Sequence, residues 1–221
     1  MNHELPDWEK VISAQYVLQQ NFPECILVGG TAASLHSGHR VSFDGNHIMP
    51  DLKDRYDEIL LELEKQAGWT TNRIYRPVLI LGQLNGVETG IRQLMREKPL
   101  ETTVIRGIKV PSKEEMLRIK AYLIIKRNVL RDYIDFVALA DTLGKDNLLK
   151  AFENFDDYYP QHNNESITRQ LCKQLAEPKP FDLTGDDLSR YKQLVPKYHS
   201  WKTIEQLCCD YGVTLLEYKL K

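Results

Sequence analysis

Cys25-Ile26-Leu27-Val28-Gly29-Gly30-Thr31-Ala32-Ala33-Ser34-Leu35-His36, followed by His39-Arg40-Val41-Ser42-Phe43-Asp44-Gly45-Asn46, is the stretch whose reading decides the fold. Its first four residues are a short apolar run that stops at two glycines, the pattern of a buried strand. Gly29-Gly30-Thr31 then opens a helix. A strand that runs into two glycines and a helix start makes a nest of free backbone N–H groups, and a side chain there would block the approach of a phosphate. Thr31 is placed to cap the helix and to donate to a phosphate oxygen. Taken alone, the tripeptide also fits a plain tight turn. Val41–Asp44 reads as a second short strand with Asp44 at its end, fourteen residues after Gly30. The intervening helix and turn would bring that strand back beside the first and aim Asp44 at the nest. A carboxylate in that place suits a hard cation that bridges to a nucleotide's phosphates.

Working outward, Trp8, Val11, Ile12, Tyr16 and Leu18 recur at roughly helical spacing, which predicts a helix over about 7–20. A second helix is predicted over about 51–67, closed by Gly68. Val78–Gly82 and Val87–Ile91 read as strands joined by Asn85-Gly86, a strong hairpin signal. Thr102–Ile105 and Ile108–Val110 form a further hairpin through Arg106-Gly107. From Pro111 onward strand signals fade, and helices are predicted over about 112–128, 131–143, 146–157, 164–176, 186–195 and 200–212, with Pro178-Lys179-Pro180 as a rigid connector. The fold class is therefore α+β: a small mixed β-sheet core with flanking helices over 1–110, then a helical domain over 111–221.

Composition agrees with a folded, ordinary chain. Its 221 residues are 42% hydrophobic and 27% charged, enough for a real core. A net charge of −2 supplies no global basic field to draw in nucleic acid, though it leaves room for a local basic cleft. Met1–Asp7 lacks the basic start and apolar run of a signal peptide, and no stretch approaches the ~20 apolar residues of a membrane span. Cys25, Cys172, Cys208 and Cys209 show no zinc-type spacing, so reduced, mostly buried thiols in a cytoplasmic protein are expected.

The helix around Arg118–Asn128 is apolar on nearly every side, through Met116, Leu117, Ile119, Ala121, Tyr122, Leu123, Ile124 and Ile125. At ~100° per residue, Lys120 and Arg127 fall within about 20° of each other on that helix. Two aligned cations on a largely buried helix need an anionic partner. A triphosphate is one; acidic side chains such as Asp132 and Asp135 are another. Tyr191, Tyr198 and Trp201 are read as core.

The Gly29–His36 and His39–Asp44 motifs resemble the first motif of the AbiEii-type nucleotidyltransferases, toxins within the polymerase-beta-like superfamily. Lys120, Arg127, Asp132 and Asp135 resemble the second half of that signature, so the resemblance spans roughly residues 25–143. It implies transfer of a nucleoside monophosphate from a nucleoside triphosphate to an acceptor, with RNA, a protein or a small molecule as the acceptor and a cognate antitoxin as partner. Asp44, Lys120 and Asp135 would be catalytic. Gly29, Gly30, Thr31, Arg40, Ser42, Lys120 and Arg127 would bind the nucleotide. The family's Asp-x-Asp pair holds magnesium, and a further acid comes from a neighbouring strand. Glu88 matches that acid, with a surface Glu88–Arg92 pair as the plainer reading. The sequence departs from the pattern at Asp44-Gly45-Asn46, where the second aspartate is an asparagine. Asn46 offers a carbonyl oxygen but no charge, which weakens a magnesium site built from Asp44, Asn46 and Glu88. The alternative implied is a catalytically impaired relative that uses the fold to bind nucleotides or other proteins.

Overall fold

The computed structural model describes residues 7–161 and 165–219. Met1–Pro6, most of the segment read for a leader, lie outside the described residues. The chain divides into two compact units: Met1–Leu35 with Val41–Ser112, and His36–Arg40 with Lys113–Lys221. A short piece of the motif stretch thus belongs with the helical half.

The first unit begins with helix α1 (Trp8–Asn21), whose first turn is capped where the Asp7 carboxylate accepts from the Lys10 N–H at 2.7 Å. Strand β1 (Ile26–Val28) runs into helix α2 (Gly29–Ser37). Gly29 makes that junction with φ +80°, the left-handed region that favours glycine. Strand β2 is Asp44–Met49, so Asp44 opens the strand rather than ending one over Val41–Asp44. Helix α3 (Leu52–Lys65) leads to strands β3 (Trp69–Tyr75), β4 (Leu79–Leu84) and β5 (Val87–Gln93). The expected hairpin joins β4 and β5, with Asn85 and Gly86 at φ 52° and 77°, the positive pair a two-residue turn requires. A second hairpin pairs β6 (Thr102–Ile105) with β7 (Ile108–Pro111).

The five-stranded sheet has the order β1-β2-β5-β4-β3. β2 and β5 run parallel; the other neighbours are antiparallel. Period-two alternation separates its faces. On one face Met49, Ile80, Leu84 and Ile91 pack with Leu52, Tyr56, Ile59 and Leu63 of α3 and Leu18 of α1. Val87 packs with Val11 and Ala14 of α1. Each large apolar side chain buried there contributes about 1.5–3 kcal/mol. The other face carries Asp44, Asn46, Ile48, Glu88 and Arg92, all half-buried or exposed.

The second unit is helical: α4 (Lys113–Arg127), α5 (Leu130–Leu143), α6 (Lys145–Ala151), α7 (Phe155–Tyr158), α8 (Ile167–Ala176) and α9 (Trp201–Lys219). The helix expected over 146–157 is two, broken at Glu153-Asn154 where Phe152 and Phe155 turn into the core with ring centroids 5.0 Å apart. The helix expected from 164, a residue outside those described, starts at Ile167. The helix expected over 186–195 is absent. Asp186 caps α9 instead, accepting from the Lys202 N–H at 2.9 Å, and Lys192 and Gln193 take left-handed φ values of 44° and 53°. Trp201 and Tyr198 are buried as expected, and Trp201 meets Tyr133 edge-on at 5.9 Å. All four cysteines are free thiols.

Candidate functional site

In the first unit, sheet register brings the nominated acids together. Asp44 on β2 pairs directly with Glu88 on β5, and Asn46 with Gly90. Residues opposite one another on paired strands face the same way, so Asp44, Asn46 and Glu88 share the sheet face that α1 and α3 leave open. Val28, the last residue of β1, pairs with Asn46 on its other side. This sets the Gly29-Gly30 junction beside Asn46: a Cβ added at Gly29 would touch the Asn46 Cβ and Nδ2 at 4.0 Å.

The hydrogen bonds show how that corner is fixed. The Thr31 hydroxyl donates to the Asp44 backbone carbonyl at 2.5 Å. Thr31 therefore ties the first turn of α2 to the start of β2; the expectation that its hydroxyl is offered to a phosphate does not describe this state. Ser42 Oγ donates to Asp44 Oδ1 at 3.0 Å, and Asn46 Nδ2 donates to Asp44 Oδ2 at 2.9 Å. Both oxygens of the Asp44 carboxylate are thus held by neutral donors. Among the described residues no group of three or more His, Cys, Asp or Glu side chains is placed to hold a metal ion. The donor set here is two carboxylates and one amide, all oxygen ligands of the kind Mg²⁺ prefers, with one negative charge fewer than three acids would give.

Behind this corner, on the packed face, lies His47. It is fully buried, and its ring nitrogens find no hydrogen-bond partner of good geometry. Burial pushes its pKa down to about 3, and a contact with the Gly90 backbone opposes that only weakly. His47 is therefore a neutral core residue.

The second unit gathers Arg40, Lys120, Arg127 and Asp135 into one charge network. Asp135, fully buried, accepts from His39 Nε2 at 2.7 Å, from Arg40 Nε at 2.7 Å and from Arg40 Nη2 at 3.0 Å. The Lys120 ammonium lies 2.7 Å from Asp135 and 3.1 Å from Asp132. Arg127 reaches Asp132 through Nε at 2.5 Å and Nη2 at 2.8 Å. Burial alone would raise the Asp135 carboxyl; Arg40, Lys120 and His39 outweigh it and hold the group well below the usual carboxylate range. Lys120 is 1% exposed and the Arg127 side chain 36%, so the network opens outward through Arg127. Arg40, Lys120 and Arg127 each engage Asp132 or Asp135 in this set. Sequence reasoning nominated Lys120, Arg127, Arg40 and Asp135 but passed over His39, which sits beside Arg40 in the same motif.

No protein-family model matches the chain. A structure of a candidate nucleotidyltransferase from H. pylori superposes over 100% of this chain and 99% of its own, with a TM-score of 0.50 and 16% identity. The fold is that of a nucleotidyltransferase. The antibiotic-resistance factor ANT(2'')-Ia also resembles it, with a TM-score of 0.50 and 13% identity over 67% of this chain and 91% of that one. At these identities the likeness concerns the nucleotidyltransferase fold alone. In sequence, the chain is similar to the heme uptake protein MmpL11 of Mycobacterium tuberculosis, 30% identical over 129 residues. It is also similar to the mycolic acid-containing lipids exporter MmpL11 of Mycolicibacterium smegmatis, 28% identical over 134 residues. The match takes in 55% of this chain but 13% of each of those proteins. The two comparisons point toward different whole proteins. The structural one spans the entire chain and decides the fold. Among the described residues no helix is long and apolar enough to cross a membrane.

Proposed function

We propose that the protein is a metal-dependent nucleotidyltransferase, a relative of the AbiEii-type toxins, that moves a nucleoside monophosphate from a nucleoside triphosphate to an acceptor hydroxyl and releases pyrophosphate. The observation that carries the reading is the in-register placement of Asp44 and Glu88 on adjacent parallel strands, beside the strand that runs into Gly29-Gly30. Asp44 and Glu88, with the Asn46 amide oxygen once that amide turns, would hold Mg²⁺. When bound, the ion would neutralise phosphate charge and polarise the phosphorus under attack. The backbone N–H groups of Gly29 and Gly30 suit phosphate oxygens. Thr31 keeps that turn and Asp44 as one rigid piece, and Ser42 orients the carboxylate. In the second unit, Lys120 and Arg127 are engaged by Asp132 and Asp135, and Arg127, the more exposed of the two, is the group an incoming phosphate would meet. The AbiEii resemblance supplies the remainder of the proposal: an RNA or protein acceptor, a cognate antitoxin and a cytoplasmic setting.

A second reading has its own observation. Asn46 and Ser42 satisfy both oxygens of Asp44 without a cation, which favours a nucleotide-binding or interaction module that has given up transfer. Binding of each of the four nucleoside triphosphates, measured by calorimetry with and without Mg²⁺, separates the two. The enzyme binds its triphosphate at least about tenfold more tightly with the ion, a difference of ~1.4 kcal/mol. Equal affinity in both conditions selects the nucleotide-binding module, and no binding in either removes the enzyme and the nucleotide-binding module and leaves a protein-interaction module.

A further inference from the structure

Gln15 is a fully buried amide on α1, flanked on its buried face by Val11, Ala14 and Leu18. Its Nε2 donates to the Val11 carbonyl of its own helix at 3.2 Å, and its Oε1 accepts from the Thr89 hydroxyl at 2.9 Å. The same amide lies flat on Gly45: a Cβ built there would stand 1.9 Å from Gln15 Oε1, 2.1 Å from Cδ and 2.5 Å from Nε2. Gly45 and Thr89 pair with each other in the β2–β5 register. Gly45 is the residue between Asp44 and Asn46, and Thr89 lies between Glu88 and Gly90. One side chain therefore grips, from the packed face, both strands at the rung whose neighbours carry the candidate ligands on the open face.

An aliphatic residue would fill this volume without the desolvation that a buried amide requires. What the amide adds is direction. A hydrogen bond to Thr89 and a close plane against Gly45 fix how far apart and at what roll β2 and β5 run, whereas an apolar contact tolerates sliding. We infer that Gln15 is a positioning residue: through Gly45 and Thr89 it sets the spacing of Asp44 and Glu88 and so the affinity of their corner for a divalent cation. This rests on reading Asp44 and Glu88 as the cation's ligands.

Three variants of the full chain test it: Gln15→Met, Thr89→Val and the double replacement. The single Gln15→Met change leaves the Thr89 hydroxyl without its acceptor and lowers the melting temperature. Replacing both partners by apolar groups of similar shape restores stability, since no buried group is then orphaned. Two readouts are followed in each protein: Mn²⁺ affinity by electron paramagnetic resonance, and amide hydrogen exchange at residues 44–46 and 88–90. The inference expects the double variant to melt near wild type yet bind Mn²⁺ about five- to tenfold more weakly, the scale of one net hydrogen bond. It also expects faster exchange confined to those two segments. A double variant that regains wild-type Mn²⁺ affinity and exchange along with its melting temperature overturns it and leaves Gln15 as packing. If the wild type binds no Mn²⁺, the proposed function fails by itself, and the exchange pattern alone then decides whether Gln15 sets the strand geometry.

Discussion

Replacing Asn46 with aspartate puts a second carboxylate where the amide now donates to Asp44 Oδ2 at 2.9 Å. Two changes follow in the metal-free protein. A hydrogen bond of about 1 kcal/mol is lost, and two like charges face each other. At ~4 Å they repel by roughly 4 kcal/mol at an effective dielectric of 20 and by about 1 kcal/mol in bulk water. Both residues are half-buried, so the repulsion lies between those limits, and with the lost hydrogen bond the net loss is about 2–5 kcal/mol. For a chain of this size that lowers the metal-free melting temperature by roughly 4–20 °C. A divalent cation reverses the sign, because the added charge becomes a ligand and the repulsion is neutralised. Mg²⁺-dependent triphosphate affinity should rise about tenfold or more, with any transfer activity rising alongside. The assay is a thermal melt of wild type and Asn46→Asp, each with and without Mg²⁺ and a triphosphate. Equal metal-induced shifts in the two proteins would refute the reasoning, since position 46 would then not face the ion.

His47 stays neutral in the native state down to pH about 3, while in the unfolded chain it protonates near 6.5. The unfolded state therefore binds more protons across that window, and stability falls as pH drops through it, by about 2 kcal/mol at pH 5. Urea unfolding from pH 7.5 to 5 should show this slope, and His47→Leu should flatten it; an unchanged slope would mean the ring is not the group responsible. Asp135→Asn removes the charge shared by His39, Arg40 and Lys120 and should cost about 3–5 kcal/mol in denaturant unfolding. A loss below about 1 kcal/mol would show that the network is solvated rather than buried. The depressed Asp135 pKa adds stability that is present above its unfolded value near 3.9 and lost as pH falls below it, so acid sensitivity begins with His47 and deepens with Asp135.

Much of this architecture is legible in the sequence because its signals are local. The Cys25–Val28 run ending at two glycines, the Asn85-Gly86 turn and the shift to helical periodicity after Pro111 each depend on a few consecutive residues. β3 was missed for physical reasons. It is the edge of the sheet, Asn72–Tyr75 are exposed, and a register shift between Thr71 and Arg73 breaks the alternation that marks a strand. The loop over 186–195 misleads in the opposite sense, because Asp186 caps α9 and Asp187 accepts from the Ser189 N–H in a local turn, so neither opens a helix over 186–195. Asp44 and Glu88 could be nominated singly from sequence, but their pairing is a property of strand register. The hydrogen bonds of His39 and Arg40 to Asp135 span 96 and 95 residues, beyond the reach of any local pattern. Gln15 did leave a trace, as a polar residue at helical spacing from Val11 and Leu18.

Glu88→Gln is the most direct test of the claim that Asp44 and Glu88 form a cation–nucleotide corner. Glu88 is exposed on the open sheet face, so the change removes a charge at constant shape and should leave the melting temperature nearly unchanged. Mn²⁺ binding followed by electron paramagnetic resonance in the presence of a triphosphate should weaken by about tenfold, as expected when a carboxylate ligand becomes a neutral amide. Unchanged Mn²⁺ affinity in a folded Glu88→Gln protein would contradict the account.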